Sequence, residues 1–137
     1  MKARVNIINE TSARATSLNW EALFELTKKE LGKNIGSLTL VFILEEKSRE
    51  LNRLYRKKDG AANVLSFVED REVLISPKVV YKEAKLSKIP EEVWMQRLFV
   101  HGILHLEGYR HDIQTERERM EALEDKILGK FQSSRSS

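Results

Sequence analysis

Residues 90–105 read PEEVWMQRLFVHGILH, and this stretch decides the fold. Pro90 followed by two glutamates is a helix-start pattern, because proline suits the first turn and acidic side chains favour the positive end of the helix dipole. The residues that follow are apolar on nearly every side of the predicted helix. A helix with this pattern is normally buried. We therefore expect a core helix against which the other elements pack.

The segments around this helix predict further strands and helices. Residues 38–44 are short, continuously apolar and rich in strand formers, which favours a central strand covered on both faces. Capping and turn patterns delimit the remaining elements. The predicted strands lie near 5–7, 64–68 and 72–75. The predicted helices run from an Asn19 cap to Gly32, from a Ser48 cap with Leu51, Leu54 and Tyr55 facing inward, from Ser76-Pro77, and from a Thr115–Glu118 capping box to Gly129.

Length and composition favour one globular domain. The chain has 137 residues, a length that suits a single domain. We assign residues 1–130 to that domain and 131–137, which are rich in serine, to a flexible C-terminal tail. No apolar run is long enough to cross a membrane. The net charge of +3 permits a polyanionic partner without requiring one.

The chain contains no cysteine. This excludes disulfides, thiolate metal sites and cysteine nucleophiles, and it fits a reducing cytoplasm, where we expect the protein to lie. Any metal ion must therefore be held by histidine or carboxylate side chains.

All the histidines fall within residues 101–111, which read HGILHLEGYRH. His101 and His105 are spaced i,i+4 on the predicted core helix, so their side chains share one face and can converge on one ion. Gly108 can end the helix and turn the chain, which would bring His111 back as a third ligand. Three neutral nitrogens leave a coordination position for water, as catalytic zinc sites do. We predict one divalent metal ion per chain, and we expect it to be zinc.

The histidines allow two other interpretations. A histidine on an apolar helix can be a core residue whose nitrogens are satisfied by hydrogen bonds. The spacing also matches zinc proteases of the long motif, but those enzymes carry glutamate directly after the first histidine as general base. Here that position is Gly102, which has no side chain to activate water. Peptide hydrolysis by that mechanism is therefore disfavoured.

The histidine segment and further segments resemble a known family, the YbeY endoribonucleases. Residues 101–111 match its signature HGxLHLxGYxH, with Arg110 where the family commonly has aspartate. Residues 51–59 (LNRLYRKKD) and 64–67 (VLSF) are similar to its LNxxYRxKD and DVLSF segments. Between them, Ala61-Ala62-Asn63 stands where Pro-Thr-Asp is usual, so any role of that aspartate is in doubt here. Residues 72–77 resemble a further strand of the family.

The resemblance implies a single α+β domain with a mixed sheet of about four strands packed with helices, and a three-histidine metal site at the end of the core helix. It implies a metal-dependent endoribonuclease specific for single strands, acting in 3′ end maturation of small-subunit ribosomal RNA and in ribosome quality control. The partners would be precursor ribosomal RNA and the ribosome. His101, His105 and His111 would hold the metal. Arg56 would clamp a phosphate and act in catalysis together with His101.

The sequence also leaves two acidic residues and two other functions as candidates. Glu107 and Asp112 flank the histidines and are candidates to orient an imidazole, or are simply solvated. Two alternative functions are a zinc metallopeptidase-like hydrolase and a non-catalytic module that binds RNA or the ribosome and contains a structural metal. The sequence indicates no particular oligomeric state.

Overall fold

The computed structural model describes residues 3–14, 18–110 and 112–136. Within these residues the chain forms four strands and five helices. In chain order they are β1 (Val5–Asn9), α1 (Trp20–Leu31), β2 (Leu38–Phe42), α2 (Glu45–Arg56), β3 (Val64–Phe67), β4 (Glu72–Ile75), α3 (Pro77–Ser87), α4 (Glu91–Leu106) and α5 (Gln114–Ser136). The predicted α+β class is confirmed.

The sheet is mixed, with the strand order β1-β2-β4-β3. β1 and β4 both pair with β2 in parallel, whereas β3 pairs with β4 in antiparallel orientation. β2 is a central strand, as its continuous apolar run predicted, and four of its five residues are buried. β3 is an edge strand, so within the described residues only one of its two sides pairs with another strand.

Each face of the sheet has its own hydrophobic core. The larger core joins one face to α1, α4 and α5, with Trp20, Phe42 and Phe99 among its fully buried side chains. The smaller core lies on the opposite face, where Leu51 of α2 and Phe67 pack against it. The core helix α4 begins directly after Pro90, as predicted.

Local capping signals fix the ends of α1 as the sequence predicted. Asn19 caps the helix, because its Oδ1 accepts a hydrogen bond from the N–H of Ala22 at 3.2 Å. Gly32 ends it in the left-handed conformation with φ of 66°, which glycine adopts without the steric penalty of a Cβ.

The predicted start and orientation of α2 are wrong. The helix begins at Glu45, and Ser48 lies inside it, where its hydroxyl donates to the carbonyl of Ala62 at 2.6 Å instead of capping. Leu54 and Tyr55 do not face inward, because they are 52% and 66% exposed. Ser48 faces inward and binds the loop before β3 through Ala62. In this orientation of the helix, Leu54 and Tyr55 face the solvent.

The last helix is longer than predicted. α5 begins at Gln114, so Thr115 lies inside the helix and does not cap it, and the helix continues past Gly129 to Ser136. Phe131 is buried in the larger core and gives this last part of the helix an apolar contact. The domain boundary at residue 130 and the flexibility of 131–137 stay predictions.

Candidate functional site

The core helix α4 presents His101 and His105 one turn apart, close to its C-terminal end. Their ring centroids are 4.6 Å apart, with the rings inclined at 76° to each other. The two Nε2 atoms face each other at 3.0 Å. Both side chains are half-buried. The i,i+4 spacing therefore brings the two imidazoles together as predicted from the helix period.

A buried carboxylate from α5 holds His101. Glu124 Oε2 lies 2.7 Å from His101 Nδ1, and the Glu124 side chain is only 6% exposed. An ionised carboxylate can only accept hydrogen bonds, so Nδ1 carries the proton and donates it. In a neutral imidazole the lone pair is then on Nε2. Glu124 thus orients the ring of His101 and selects its tautomer.

Arg97 completes this arrangement from the preceding turns of α4. Its Nη1 donates to Glu124 Oε1 at 3.0 Å, and its Nη2 donates to Asp125. Burial lowers the pKa of Arg97, but the hydrogen bond to Asp125 and the charge of Glu124 raise that pKa by more, and the net pKa lies above its usual value. The guanidinium stays charged and compensates the buried carboxylate.

Sequence reasoning missed Glu124, although the sequence contains a signal for it. Met120, Ile127 and Phe131 form the buried face of α5, and Glu124 lies on the same face, four residues after Met120. A carboxylate on a buried face needs a hydrogen-bonding or charged partner. Its partner is on another helix, and sequence spacing alone does not identify it.

The histidine pair fits a divalent metal ion. Two nitrogens that are each about 2.0–2.1 Å from one tetrahedral zinc ion lie about 3.3 Å apart, and the 3.0 Å between the two Nε2 atoms is close to that value. Zinc-binding histidines commonly donate their other ring N–H to a carboxylate, as His101 does to Glu124.

The third predicted ligand, His111, lies outside the described residues. In the part of the chain that the structure describes, no three histidine or acidic side chains are grouped to hold a metal ion. The three-histidine site therefore stays a prediction, and His101 and His105 are the two members that the structure brings together.

The acidic residues nearest to the histidines in sequence pair with basic side chains. Glu107 forms ion pairs with Arg71 at 3.1 Å and with Lys33 at 3.4 Å. Asp112 accepts a hydrogen bond from Nε of Arg110 at 3.0 Å. Arg110, which stands where the family commonly has aspartate, is thereby paired with the acidic residue two positions later.

A cleft of about 590 Å³, hereafter the first cleft, joins the histidines to Arg56. One wall is the end of α2, where Tyr55 and Arg56 lie just before Lys57 ends the helix in the left-handed conformation. The consecutive residues 63–68 of β3 and its flanks form the next wall, and His101 and His105 line the other side. Arg56 thus faces the same space as both histidines.

Gly102 lets α4 lie close to the sheet beneath this cleft. A Cβ at this position would lie 2.6 Å from Val73 Cγ1, and Val73 is fully buried. The carbonyl of Gly102 accepts a hydrogen bond from Ser66 Oγ at 3.3 Å. The position occupied by the general base in long-motif zinc proteases therefore has no space for a side chain here.

Asn63 lies at the point where the chain enters β3. Its Oδ1 accepts from the N–H of Val64 at 2.7 Å, and its Nδ2 donates to Glu83 at 2.9 Å. The same oxygen of Glu83 accepts from the indole N–H of Trp94, also at 2.9 Å. Asn63, which stands where the family usually has aspartate, thus ties β3 to α3 and α4.

The fold and this cleft define an α+β protein in which a helical histidine pair, an arginine and an edge strand line one cleft. A family model described as "Endoribonuclease YbeY" matches residues 5–132. The chain belongs to the YbeY family, and the resemblance noted in the sequence is confirmed.

Individual relatives agree with this assignment. An endoribonuclease YbeY of Cupriavidus metallidurans is 42% identical over 101 residues, which cover 68% of this chain and 51% of that protein. One of Coxiella burnetii is 39% identical over 109 residues, 72% of each chain. The chain spans about half the length of the Cupriavidus relatives that it matches.

A solved structure shares the fold. The solution structure of TM1509 from Thermotoga maritima matches with a TM-score of 0.61 at 25% identity, covering 95% of this chain and 93% of that one. In the residues that the structure describes here, no helix combines the length and apolarity needed to span a membrane.

Proposed function

We propose that this protein is a metal-dependent endoribonuclease that cleaves single-stranded RNA. The observation that carries the proposal is the first cleft, which Arg56, His101 and His105 all line. Membership of a family whose members are described as endoribonucleases supports the reaction. We further propose that the substrate is the 3′ end of precursor small-subunit ribosomal RNA, that the protein acts in ribosome quality control, and that its work takes place in the cytoplasm.

In the proposed mechanism the histidines bind the metal ion and Arg56 binds the phosphate. His101, His105 and His111 would hold one divalent ion, which we expect to be zinc. Such an ion supplies Lewis-acid chemistry and activates water near neutral pH. Glu124 keeps the Nε2 lone pair of His101 available by accepting the proton of Nδ1. The ring of His101 is therefore oriented before substrate binds.

Arg56 supplies the second half of the mechanism. Its guanidinium makes no hydrogen bond or ion pair with any described residue, so its donors are available to a ligand. A guanidinium can donate two parallel hydrogen bonds to a phosphate and stays charged at every physiological pH. Arg56 would bind the scissile phosphate and offset the charge that grows on its oxygens in the transition state.

The alternative functions are less well supported. A metallopeptidase of the long-motif type needs a base where Gly102 leaves no room beside Val73. A module that only binds RNA through a structural metal would not need an unpaired arginine in the same cleft as the histidines. We expect that casein and short peptides are not cleaved.

The experiment is an RNA cleavage assay with matched single-stranded and duplex substrates. We expect wild type to cleave the single-stranded RNA, to lose this activity on chelation and to regain it when zinc or a similar divalent ion is added. His101→Ala should be inactive under every condition. Activity that persists in thoroughly chelated protein, or in His101→Ala, would contradict the proposal, and metal-dependent proteolysis would favour the peptidase.

A further inference from the structure

A second cleft lies on the other side of His101. It has a volume of about 580 Å³ and shares Asn63, Val64 and His101 with the first cleft. The two clefts therefore meet at His101. A chain molecule bound with its reacting group at His101 would continue into both of them.

The second cleft contains a fixed aromatic surface. Trp94 lines it and is half-buried, with Leu98 and Met120 as apolar neighbours in the same wall. The indole N–H of Trp94 donates to Glu83 at 2.9 Å, and Glu83 also accepts from Asn63. The ring is thus held in one orientation by a hydrogen bond that leaves its faces without a polar partner. Nucleobases of single strands stack on such aromatic side chains.

The charges of the two clefts differ in sign. Among the described residues that line the first cleft, Arg56 is the one with a permanent charge. The second cleft is lined by Arg97 and Arg117 together with the carboxylates of Glu121, Glu124 and Asp125. The three carboxylates outnumber the two arginines, and Arg97 is already paired with Glu124 and Asp125, so this cleft suits a phosphate less well than the first cleft does. Its acceptor oxygens suit the amino groups of a base.

We propose that the second cleft binds one nucleobase of the RNA substrate, stacked on Trp94, from the nucleotide next to the scissile phosphate on the side away from Arg56. This inference rests on the proposed function and deepens it. A base that lies in this cleft cannot stay stacked and paired in a duplex. The subsite therefore gives a physical reason for cleavage of single strands.

Single abasic nucleotides test the subsite in the metal-loaded enzyme. In a short single-stranded RNA whose scissile bond has been mapped, one base at a time is removed on either side of that bond. We expect one neighbouring position to lower kcat/KM by roughly 5- to 150-fold, the range for loss of one stacked base. An abasic nucleotide several positions away serves as the control and should have little effect.

Trp94 variants connect that position to the second cleft. Trp94→Leu should lower kcat/KM on intact RNA by a similar factor and show no additional loss on the sensitive abasic RNA. Trp94→Phe keeps an aromatic face without the indole donor and should retain most of the activity. Melting temperatures and metal content of both variants check that fold and metal site are intact.

Fluorescence gives a second readout that does not depend on cleavage. The chain has two tryptophans, and Trp20 is only 1% exposed, so quenching by a bound base should come from Trp94. RNA binding, measured independently by anisotropy of a labelled oligonucleotide, should quench wild type and leave Trp94→Phe unquenched.

The outcomes separate the two proposals. If wild type cleaves RNA but neither neighbouring abasic position matters, or if folded Trp94→Leu cleaves as wild type does, the base subsite is wrong and the endoribonuclease proposal stands. Binding without quenching of wild type also overturns the subsite. If wild type neither binds nor cleaves RNA, the proposed function fails, and this inference fails with it.

Discussion

His101 and Arg56 face the same cleft, but the protein holds them in very different ways. The ring of His101 is hydrogen-bonded to buried Glu124 on α5, and Glu124 is in turn hydrogen-bonded to half-buried Arg97 on α4. Arg56 lies exposed at the end of α2 and has no hydrogen bond or ion pair among the described residues. The comparison shows one side chain that the protein itself orients, and another whose donors have no protein partner among the described residues and are available to a ligand.

The largest expected effect is on the Arg56 side. Arg56→Ala should lower RNA cleavage by about 10²- to 10³-fold, as loss of a transition-state donor does. Its melting temperature should stay unchanged, because an exposed helical arginine is replaced by a better helix former. Arg56→Lys should recover only part of the activity, since an ammonium lacks the planar fork. Cleavage rates and melting curves test this.

Arg53→Ala is the matched control. Arg53 is exposed on the same helix but does not line the first cleft. Its loss should reduce cleavage far less than Arg56→Ala does. Equal losses in both variants would mean that the helix contributes only general positive charge.

A smaller effect is expected from Glu124, the carboxylate that orients His101. Glu124→Ala should weaken metal affinity by about 10- to 100-fold, the usual range for a carboxylate that orients a liganding histidine. Glu124→Gln keeps an oxygen that accepts from Nδ1 of His101 and should restore part of the affinity. Competition with a chelator of known affinity measures the change.

Asp125→Ala controls for the arginine network. It removes the other carboxylate that Arg97 binds and leaves the contact between Glu124 and His101 in place. Metal affinity should stay close to wild type. If Asp125→Ala weakens the metal site as much as Glu124→Ala, the effect comes from Arg97 and not from orientation of His101.

The smallest expected effects concern stability beneath the site. Gly102→Ala should lower the free energy of unfolding by about 1–3 kcal/mol, because a Cβ would overpack the buried side chain of Val73. Gly129→Ala, on the exposed part of α5 with no atom near its added Cβ, should raise it by about 0.5–1 kcal/mol. Denaturant unfolding of both variants gives the sign. A stabilising Gly102→Ala would show that α4 has room to move away from β4.

Local signals in the sequence predicted α4 and α1 well. α4 has apolar residues on nearly every side, and α1 has the caps Asn19 and Gly32. These signals involve residues within one or two helical turns, and residues so close in sequence are also neighbours in space. The i,i+4 histidine pair is predictable for the same reason.

Non-local polar contacts account for what the sequence did not predict. In α2, Asn52 faces inward together with Ser48 and donates to the carbonyl of Gly60 at 3.0 Å. The buried face of α2 is therefore polar, and the positions of the apolar residues predicted the wrong face. The pairing of Glu124 with His101 spans 23 positions. Such pairs depend on how helices are arranged in space, and no periodicity encodes that arrangement.

Metal content measured in parallel with RNA cleavage tests the central claim most directly. The claim is that the histidines hold the ion while Arg56 binds the phosphate. Wild type and Arg56→Ala should each retain about one divalent ion per chain by elemental analysis, and His105→Ala should lose it. Only wild type should cleave RNA efficiently. The account is contradicted if wild type and His105→Ala hold equally little metal even after reconstitution, or if Arg56→Ala cleaves at the wild-type rate.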